Sequence, residues 1–336
     1  MDIIREDCIF ILKEAPVCWE CLRDSRILIT GGTGYYGKWF LKSFLYINEA
    51  LSLNAHISVI SRSPELFKKK YPEFAEQNSI SFIQSDVRNL DTPYGRFDYL
   101  IHAATDVATN QEKDAPDEML AVARYGTERI LKYAKQVGVK KLLLTSSGAV
   151  YGIQPPDLDN MPETYQGMPT TIYGKAKKIS ENLCLESDIN CTIARCYASV
   201  GPWLKLDIQY AVGNFILNLL NDEPIKIKSD GRPLRSYIYI ADLMIWLWTI
   251  LLNGDNKQIY NVGGNKAISI KTLANLVASV SNKNLTVLVQ GQDNINLLPP
   301  RYVPDTSKAM ARLGLKYNYT LNTGIQRTIE WHRQRI

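Results

Sequence analysis

The apolar positions of the chain change their period along its length. Residues 1–25 scatter them at helical spacing (Ile3, Ile4, Ile9, Ile11, Leu12, Val17, Leu22), which predicts an N-terminal helical extension. Short, wholly apolar runs then alternate with helical patterns. The runs 26–30, 57–61, 80–84, 98–102, 141–146 and 191–196 predict strands, and residues 36–47, 64–76, 116–137 and 172–187 predict the helices between them. Parallel strands need crossover connections, so this alternation predicts an α/β fold with a doubly wound parallel sheet. Past residue 151 the texture changes. A loop carrying Pro155, Pro156, Pro162 and Pro169 follows, and residues 197–336 hold shorter elements broken by glycine and proline. The chain therefore divides into an extension (1–25), a main α/β domain (26–190) and a smaller C-terminal lobe (191–336), with lobe segments returning to the main sheet. The most apolar stretch, Ala241 to Leu252, spans about a dozen residues where a bilayer needs about twenty. It also contains Asp242, and so reads as a buried helix with Trp246 and Trp248 in the core.

Composition narrows the class. Of 336 residues, 46% are apolar and 22% charged, which excludes a disordered, collagenous or coiled-coil chain. The net charge of +5 is spread along the chain. It suits a small anionic ligand and gives no basic stripe for nucleic acid. Asp2, Glu6 and Asp7 stand where a secretory signal would be basic, so the expectation is a soluble cytoplasmic protein with no membrane partner and six reduced cysteines. Cys18 and Cys21 form one CxxC with no second pair, and His56, His102 and His332 are dispersed, so no metal is expected.

The first candidate for chemistry is Thr30-Gly-Gly-Thr-Gly-Tyr-Tyr-Gly37, between the first strand and the first helix of the alternation. Gly31 permits a tight turn, Gly34 lets a pyrophosphate approach the helix N-terminus, and Gly37 allows close packing of helix on sheet. With Thr33, Tyr35 and Tyr36, these residues are the expected dinucleotide cradle. The second strand ends in Ser61-Arg62-Ser63 without a carboxylate. A hydroxyl and a guanidinium suit a 2′-phosphate, so NADP(H) is preferred, with NAD the alternative.

Tyr173 and Lys177 stand four apart, on one face of a predicted helix. An ammonium beside a phenol lowers its pKa and makes it a usable acid or base. Ser147 falls at the end of the fifth strand, where open parallel sheets place their sites, and its hydroxyl suits a substrate carbonyl oxygen.

These motifs, in this order, resemble an extended short-chain dehydrogenase/reductase of the nucleotide-sugar epimerase/dehydratase family over nearly all of residues 25–334. The resemblance implies a Rossmann-like fold with a substrate lobe. It implies Tyr173 as acid/base, Lys177 as its partner and Ser147 as carbonyl donor. It adds Asp86 and Val87 at the adenine, Ala103, Ala104 and Thr105 along the cofactor, and Arg235 and Arg301 as diphosphate contacts. It also implies a homodimer through helices 116–137 and 172–187. The chain departs from the pattern twice. Ser147-Gly148-Ala149 replaces the Thr-Asp-Glu of 4,6-dehydratases, and decarboxylases carry a glutamate where Ala149 stands. Ala198 replaces the asparagine of R-x-F-N, which leaves Asn214 as the candidate substrate contact or, alternatively, a helix N-cap. The reading that follows is NADP(H)-dependent reduction of a nucleoside-diphosphate-linked 4-keto-6-deoxy sugar, as in making surface polysaccharide. The alternatives are a 4-epimerase with tightly bound NAD and a non-catalytic dinucleotide sensor.

Overall fold

The computed structural model describes residues 2–90, 95–104, 115–206, 210–280, 285–292 and 298–335. Its strands are β1 (Arg26–Thr30), β2 (His56–Ser61), β3 (Ile80–Gln84), β4 (Tyr99–His102), β5 (Lys141–Ser147), β6 (Cys191–Cys196), β7 (Ser199–Val200), β8 (Ile225–Ile227), β9 (Leu234–Arg235), β10 (Ile238–Tyr239), β11 (Ile259–Val262), β12 (Ile268–Ser269), β13 (Val287–Val289) and β14 (Arg301–Tyr302). Its helices are α1 (Ile3–Glu14), α2 (Tyr35–Ala50), α3 (Pro64–Lys70), α4 (Pro72–Ala75), α5 (Pro116–Ala121), α6 (Thr127–Val137), α7 (Ile172–Glu186), α8 (Ala211–Leu220), α9 (Ile240–Asn253), α10 (Ile270–Val280), α11 (Ser307–Leu313) and α12 (Leu321–Arg333).

Seven strands form one parallel sheet in the order β11-β6-β5-β4-β1-β2-β3. Helices cover both faces, which is why Ile27, Leu28 and Ile29 are all fully buried and the strands read as continuous apolar runs. The fold is the doubly wound, Rossmann-like sheet that the alternation predicts. Strands β6 and β11 come from the C-terminal part of the chain, so that part completes the main sheet besides building its own small sheets. The order reverses between β1 and β4, and open α/β sheets bind ligands at such a switch point.

Two helices differ from their sequence pattern. The charged run 64–76 is interrupted at Tyr71 (φ −134°, ψ 69°), because a residue before proline is pushed out of the helical region and Pro72 follows. The long helix 116–137 contains a π-helical turn at Val122–Gly126. Ala241 to Leu252 is a buried helix as predicted, with Trp246 and Trp248 fully enclosed. No helix among the described residues is long and apolar enough to cross a membrane.

Candidate active site

The glycine turn joins β1 to α2. Gly31 has φ +71°, the left-handed region that glycine enters without strain, and a Cβ there would lie 2.4 Å from the Ala103 carbonyl oxygen. The ends of β1 and β4 are thus in contact at the switch point. A Cβ on Gly37 would lie 2.3 Å from the Gly31 oxygen, so the helix meets the turn backbone to backbone. Gly34 is different: it is exposed, it caps α2, and the nearest atom to an added Cβ is 3.3 Å away. Bare backbone at a helix N-terminus fits a pyrophosphate. The Thr30 hydroxyl accepts from the Ala104 N–H (3.1 Å) and contacts His102 Nδ1 (2.7 Å), which fixes the two loops to each other. Thr33 is half-buried in the same turn.

Tyr35 and Tyr36 stand in the first turn of α2, and their phenols turn inward. The Tyr36 hydroxyl donates to the Tyr197 carbonyl (3.5 Å), and burial raises both phenols' pKa. What these two residues offer a dinucleotide is backbone at the helix start, not side chain. Ser61 is half-buried and Arg62 exposed at the end of β2. Asp86 receives two hydrogen bonds from the Arg88 guanidinium (both 2.9 Å), and these, with the charges of Arg88 and Arg62, lower its pKa. Val87 is buried, and Thr105 lies outside the described residues.

Ser147, Tyr173 and Lys177 converge as predicted. Ser147 ends β5 and caps a 3-10 turn, its oxygen accepting from the Ala149 N–H (3.2 Å). Tyr173 and Lys177 sit on the first turns of α7, which begins at Thr171, whose side chain caps it. The Lys177 ammonium donates to the Thr145 carbonyl (2.7 Å) and lies 5.7 Å from the centre of the Tyr173 ring. The electrostatics correct one expectation. Burial raises the Tyr173 phenol above its ordinary range, with only a hydrogen bond to Ser147 opposing, and burial brings Lys177 down to about 8. In a dry pocket desolvation disfavours the charged form of each group, and the neighbouring Tyr302 and Tyr210 phenols add to it at Tyr173.

A second phenol joins them. Tyr302 on β14 brings its hydroxyl 3.4 Å from Ser147 Oγ, and its ring lies 4.4 Å from that of Tyr197. Tyr197 in turn packs over Gly148, where a Cβ would meet the ring at 2.5 Å. Residue 148 therefore cannot carry an acidic side chain unless Tyr197 moves. Behind this wall, Arg195 pairs with the fully buried Glu181 (2.7 Å), which accepts from Ser146 (2.6 Å) and so anchors the end of β5.

The lobe residues are less convergent. Strand β14 pairs with β9 so that Tyr302 stands beside Arg235, and Arg301 beside Leu234. Successive side chains of a strand point to opposite faces, so Arg235 shares the Tyr302 face and Arg301 does not. The Arg301 guanidinium instead pairs with Asp159 (2.9 Å). Asn214 is not an N-cap. It lies inside the first turn of α8, half-buried, and Tyr210 takes the cap position. Tyr210 is close enough to Tyr173 and Tyr302 to raise both phenols, a placement that nothing in its local sequence signals.

A hydroxyl, a phenol and an ammonium at the strand ends, beside a glycine turn that fits a pyrophosphate, form a site for moving a proton on and off a substrate oxygen. Residues 27–263 match the family model described as NAD dependent epimerase/dehydratase family. UDP-glucuronic acid decarboxylase 1 of Xenopus tropicalis is 27% identical over 97% of this chain and 77% of its own length. UDP-glucose 4-epimerase of Thermotoga maritima superposes with a TM-score of 0.78 at 21% identity, covering 92% of this chain and 99% of that one. UDP-glucuronic acid 4-epimerase of Bacillus cereus does so with 0.78 at 22%, covering 93% and 100%. The glycine turn at the switch point and the serine, tyrosine and lysine beyond it thus lie within a matched segment covering most of the chain, which belongs to the NAD dependent epimerase/dehydratase family.

Proposed function

We propose that the protein is a nucleoside-diphosphate-sugar 4-epimerase that retains NAD. The observation that carries this reading is a site with Ser147, Tyr173 and Lys177 but no carboxylate at 148 or 149, where Tyr197 covers Gly148. Oxidation and reduction at one carbon need only the hydroxyl, phenol and ammonium, whereas loss of water or carbon dioxide needs the further acid or base that the resembling dehydratases and decarboxylases carry. Two similar solved structures are 4-epimerases, and the Bacillus cereus one is described in complex with UDP-glucuronic acid and NAD.

The glycine turn and the Ala103–Ala104 segment would hold the dinucleotide, and Lys177 would hold its ribose. When bound, the nicotinamide accepts and returns a hydride at C4 of the sugar. Ser147 would bind the C4 oxygen. Tyr173, raised by burial in the free protein, would be brought to its phenolate by the positive charges of Lys177 and of a bound oxidised nicotinamide, and in that form would take the C4 hydroxyl proton on oxidation and return it on reduction. Lys177, lowered to about 8 by burial, stays mostly protonated near neutral pH, so its ammonium would stand ready to stabilise the anion that forms beside it. Arg235 is the candidate for the diphosphate, with Arg301 and Asn214 more remote from the catalytic set. A homodimer through α5, α6 and α7 remains part of the proposal.

The experiment is to denature the purified protein, identify the released nucleotide, and follow UDP-hexoses by NMR in deuterated water. Retained NAD and inversion at C4 without deuterium at that carbon are expected. A nucleotide-free protein that consumes NADPH with a 4-keto sugar would overturn the proposal in favour of the second reading, a 4-ketoreductase. The observation behind that reading is the absence of a carboxylate at the Ser61–Arg62 end of β2.

A further inference from the structure

Cys8, Cys184, Cys191 and Cys196 are buried, whereas Cys18 and Cys21 are exposed. The exposed two are the CxxC that the proposed reaction leaves unused. They stand on a 3-10 turn, Trp19–Leu22, with Cys18 at its cap position. The Cys21 N–H donates to the Cys18 carbonyl (3.2 Å), which closes a four-residue turn. Such a turn brings its first and fourth Cα atoms within about 7 Å, and a disulfide spans about 4.4–6.8 Å. The turn is fixed from inside. Trp19 and Leu22 are buried, the Trp19 indole donates to the Leu12 carbonyl (3.0 Å), and its ring stands edge-on to Trp248 of α9 with centres 5.7 Å apart. At three residues per turn, anchoring 19 and 22 inward sends 18 and 21 together along the neighbouring, solvent-facing row. The Arg23 guanidinium grips Glu20 twice (2.7 and 3.0 Å) and donates to the Ser52 carbonyl (2.7 Å), which ties the turn to the loop between α2 and β2.

The two thiols lie within electrostatic reach of each other. The Tyr99 hydroxyl donates to the Cys21 carbonyl (3.4 Å) and also lies against the Cys21 thiol, which partial burial raises. Tyr99 and Lys140, both beside Cys21, mark the amino ends of β4 and β5, whereas Ser147 ends β5 at the opposite edge of the sheet. No group of three His, Cys, Asp or Glu that could hold a metal exists among the described residues, so the pair offers two ligands where structural zinc takes four. We propose that Cys18 and Cys21 form a dithiol site, separate from the catalytic cleft, that exchanges with a small-molecule disulfide. The Cys18 thiolate attacks one sulfur of that disulfide, whose S–S bond breaks and releases one small thiol. The Cys21 thiolate then attacks the Cys18 sulfur, forms the Cys18–Cys21 bond and expels the second small thiol. The protein gives up two electrons and two protons, and the small disulfide takes up both as two thiols. Cys18 attacks first because Tyr99 covers the Cys21 thiol and burial there disfavours its thiolate.

The test incubates the reduced full-length protein with oxidised glutathione and then unfolds it in guanidinium chloride with N-ethylmaleimide, which blocks every remaining thiol. Intact mass and peptide mapping are the readout. The peptide holding Cys18 and Cys21 is expected to lose two hydrogens and to keep no glutathione, while Cys8, Cys184, Cys191 and Cys196 all carry the label. Cys21→Ser removes the resolving thiol, so one glutathione should stay on Cys18, and Cys18→Ser should take up glutathione at Cys21 more slowly. Both substitutions change exposed side chains, and the main result is read on the unsubstituted chain, so neither variant's folding decides it. Glutathione retained on the unsubstituted chain, a disulfide made by a buried cysteine or by a second copy of the chain, or no reaction would each overturn the proposal. Equal rates in the two variants would overturn Cys18 as the attacking thiol.

Discussion

Ser147 is the residue on which the candidate site turns. It accepts a backbone N–H, meets Tyr173 and meets Tyr302. Replacing Tyr173 with Phe removes the proton carrier without changing shape. Turnover is expected to fall by about 10³-fold, the contribution of a positioned acid/base, with cofactor binding nearly unchanged in an equilibrium titration. Tyr302→Phe removes only a long hydrogen bond to Ser147, so kcat should fall about fivefold, in line with about 1 kcal/mol for such a bond. A loss as large as that of Tyr173→Phe would show that Tyr302 also carries protons. The motif around Tyr173 and Lys177 marks both in the sequence. Tyr302 carries no such spacing to mark it, because its pairing with Ser147 is made across 155 residues.

Among the elements, the turn into α2 has the least freedom. A branched side chain at Gly37 would collide with the Gly31 carbonyl and with Gly32, both backbone, which cannot move aside as a side chain does. Gly37→Val is expected to lower folding stability by about 3 kcal/mol in denaturant titration and to abolish dinucleotide binding. The turn is held by a buried polar chain that sequence pattern alone does not reveal. His102 contacts Thr30 (2.7 Å) and Thr127 (3.1 Å), and Thr127 donates to Ser180 (2.9 Å), which reaches the Ala123 carbonyl in the π-helical turn. Burial lowers His102 to about 3, with the charge of Lys177 adding to it. The unfolded chain therefore binds a proton at this residue from about pH 6.5 downward while the folded one does not, and stability falls as pH drops from about 6.5 toward 3. At pH 5 the loss from this residue approaches about 2 kcal/mol. Asp7, raised to about 7, and His332, lowered to about 4, titrate in the same window, so the check compares the pH 7 to pH 5 change in denaturant midpoint of the native chain with that of His102→Asn, from which about 2 kcal/mol of the loss should be missing.

At the scale of the whole molecule, the two ends of the chain are clasped together. Asp7 of α1 is fully buried. It accepts from Arg327 of α12 (2.8 Å) and from the Tyr239 hydroxyl (2.5 Å), while Arg327 also bonds Glu6 (3.1 Å). Burial raises the Asp7 carboxyl well above its usual range, with the nearby Arg327 charge acting against it. Removing one partner leaves the other charge uncompensated in a dry site, so Arg327→Met should destabilise the fold by about 3 kcal/mol. A midpoint unchanged in denaturant would show that α1 is not part of the cooperative unit. This clasp joins the N-terminal extension to the same core as the main sheet, through Ile3, Ile4, Cys8 and Ile11.

The sequence by itself determined the sheet, the glycine turn and the meeting of Tyr173 with Lys177. Buried parallel strands are uninterrupted apolar runs, a tight turn against a helix requires glycine, and a four-residue spacing on a helix brings Tyr173 and Lys177 to one face. These are local consequences of backbone geometry. Only the tertiary structure decided which way the protonation energies run, because the desolvation that raises Tyr173 and lowers Lys177 comes from distant segments packing around them. It also separated Arg301 from Arg235, a difference set by the register of β14 on β9. It set Tyr197 over Gly148 and buried Lys38 beside Tyr71 and Trp203, contacts whose partners lie 33 to 165 residues apart in the chain and leave no periodic trace along it.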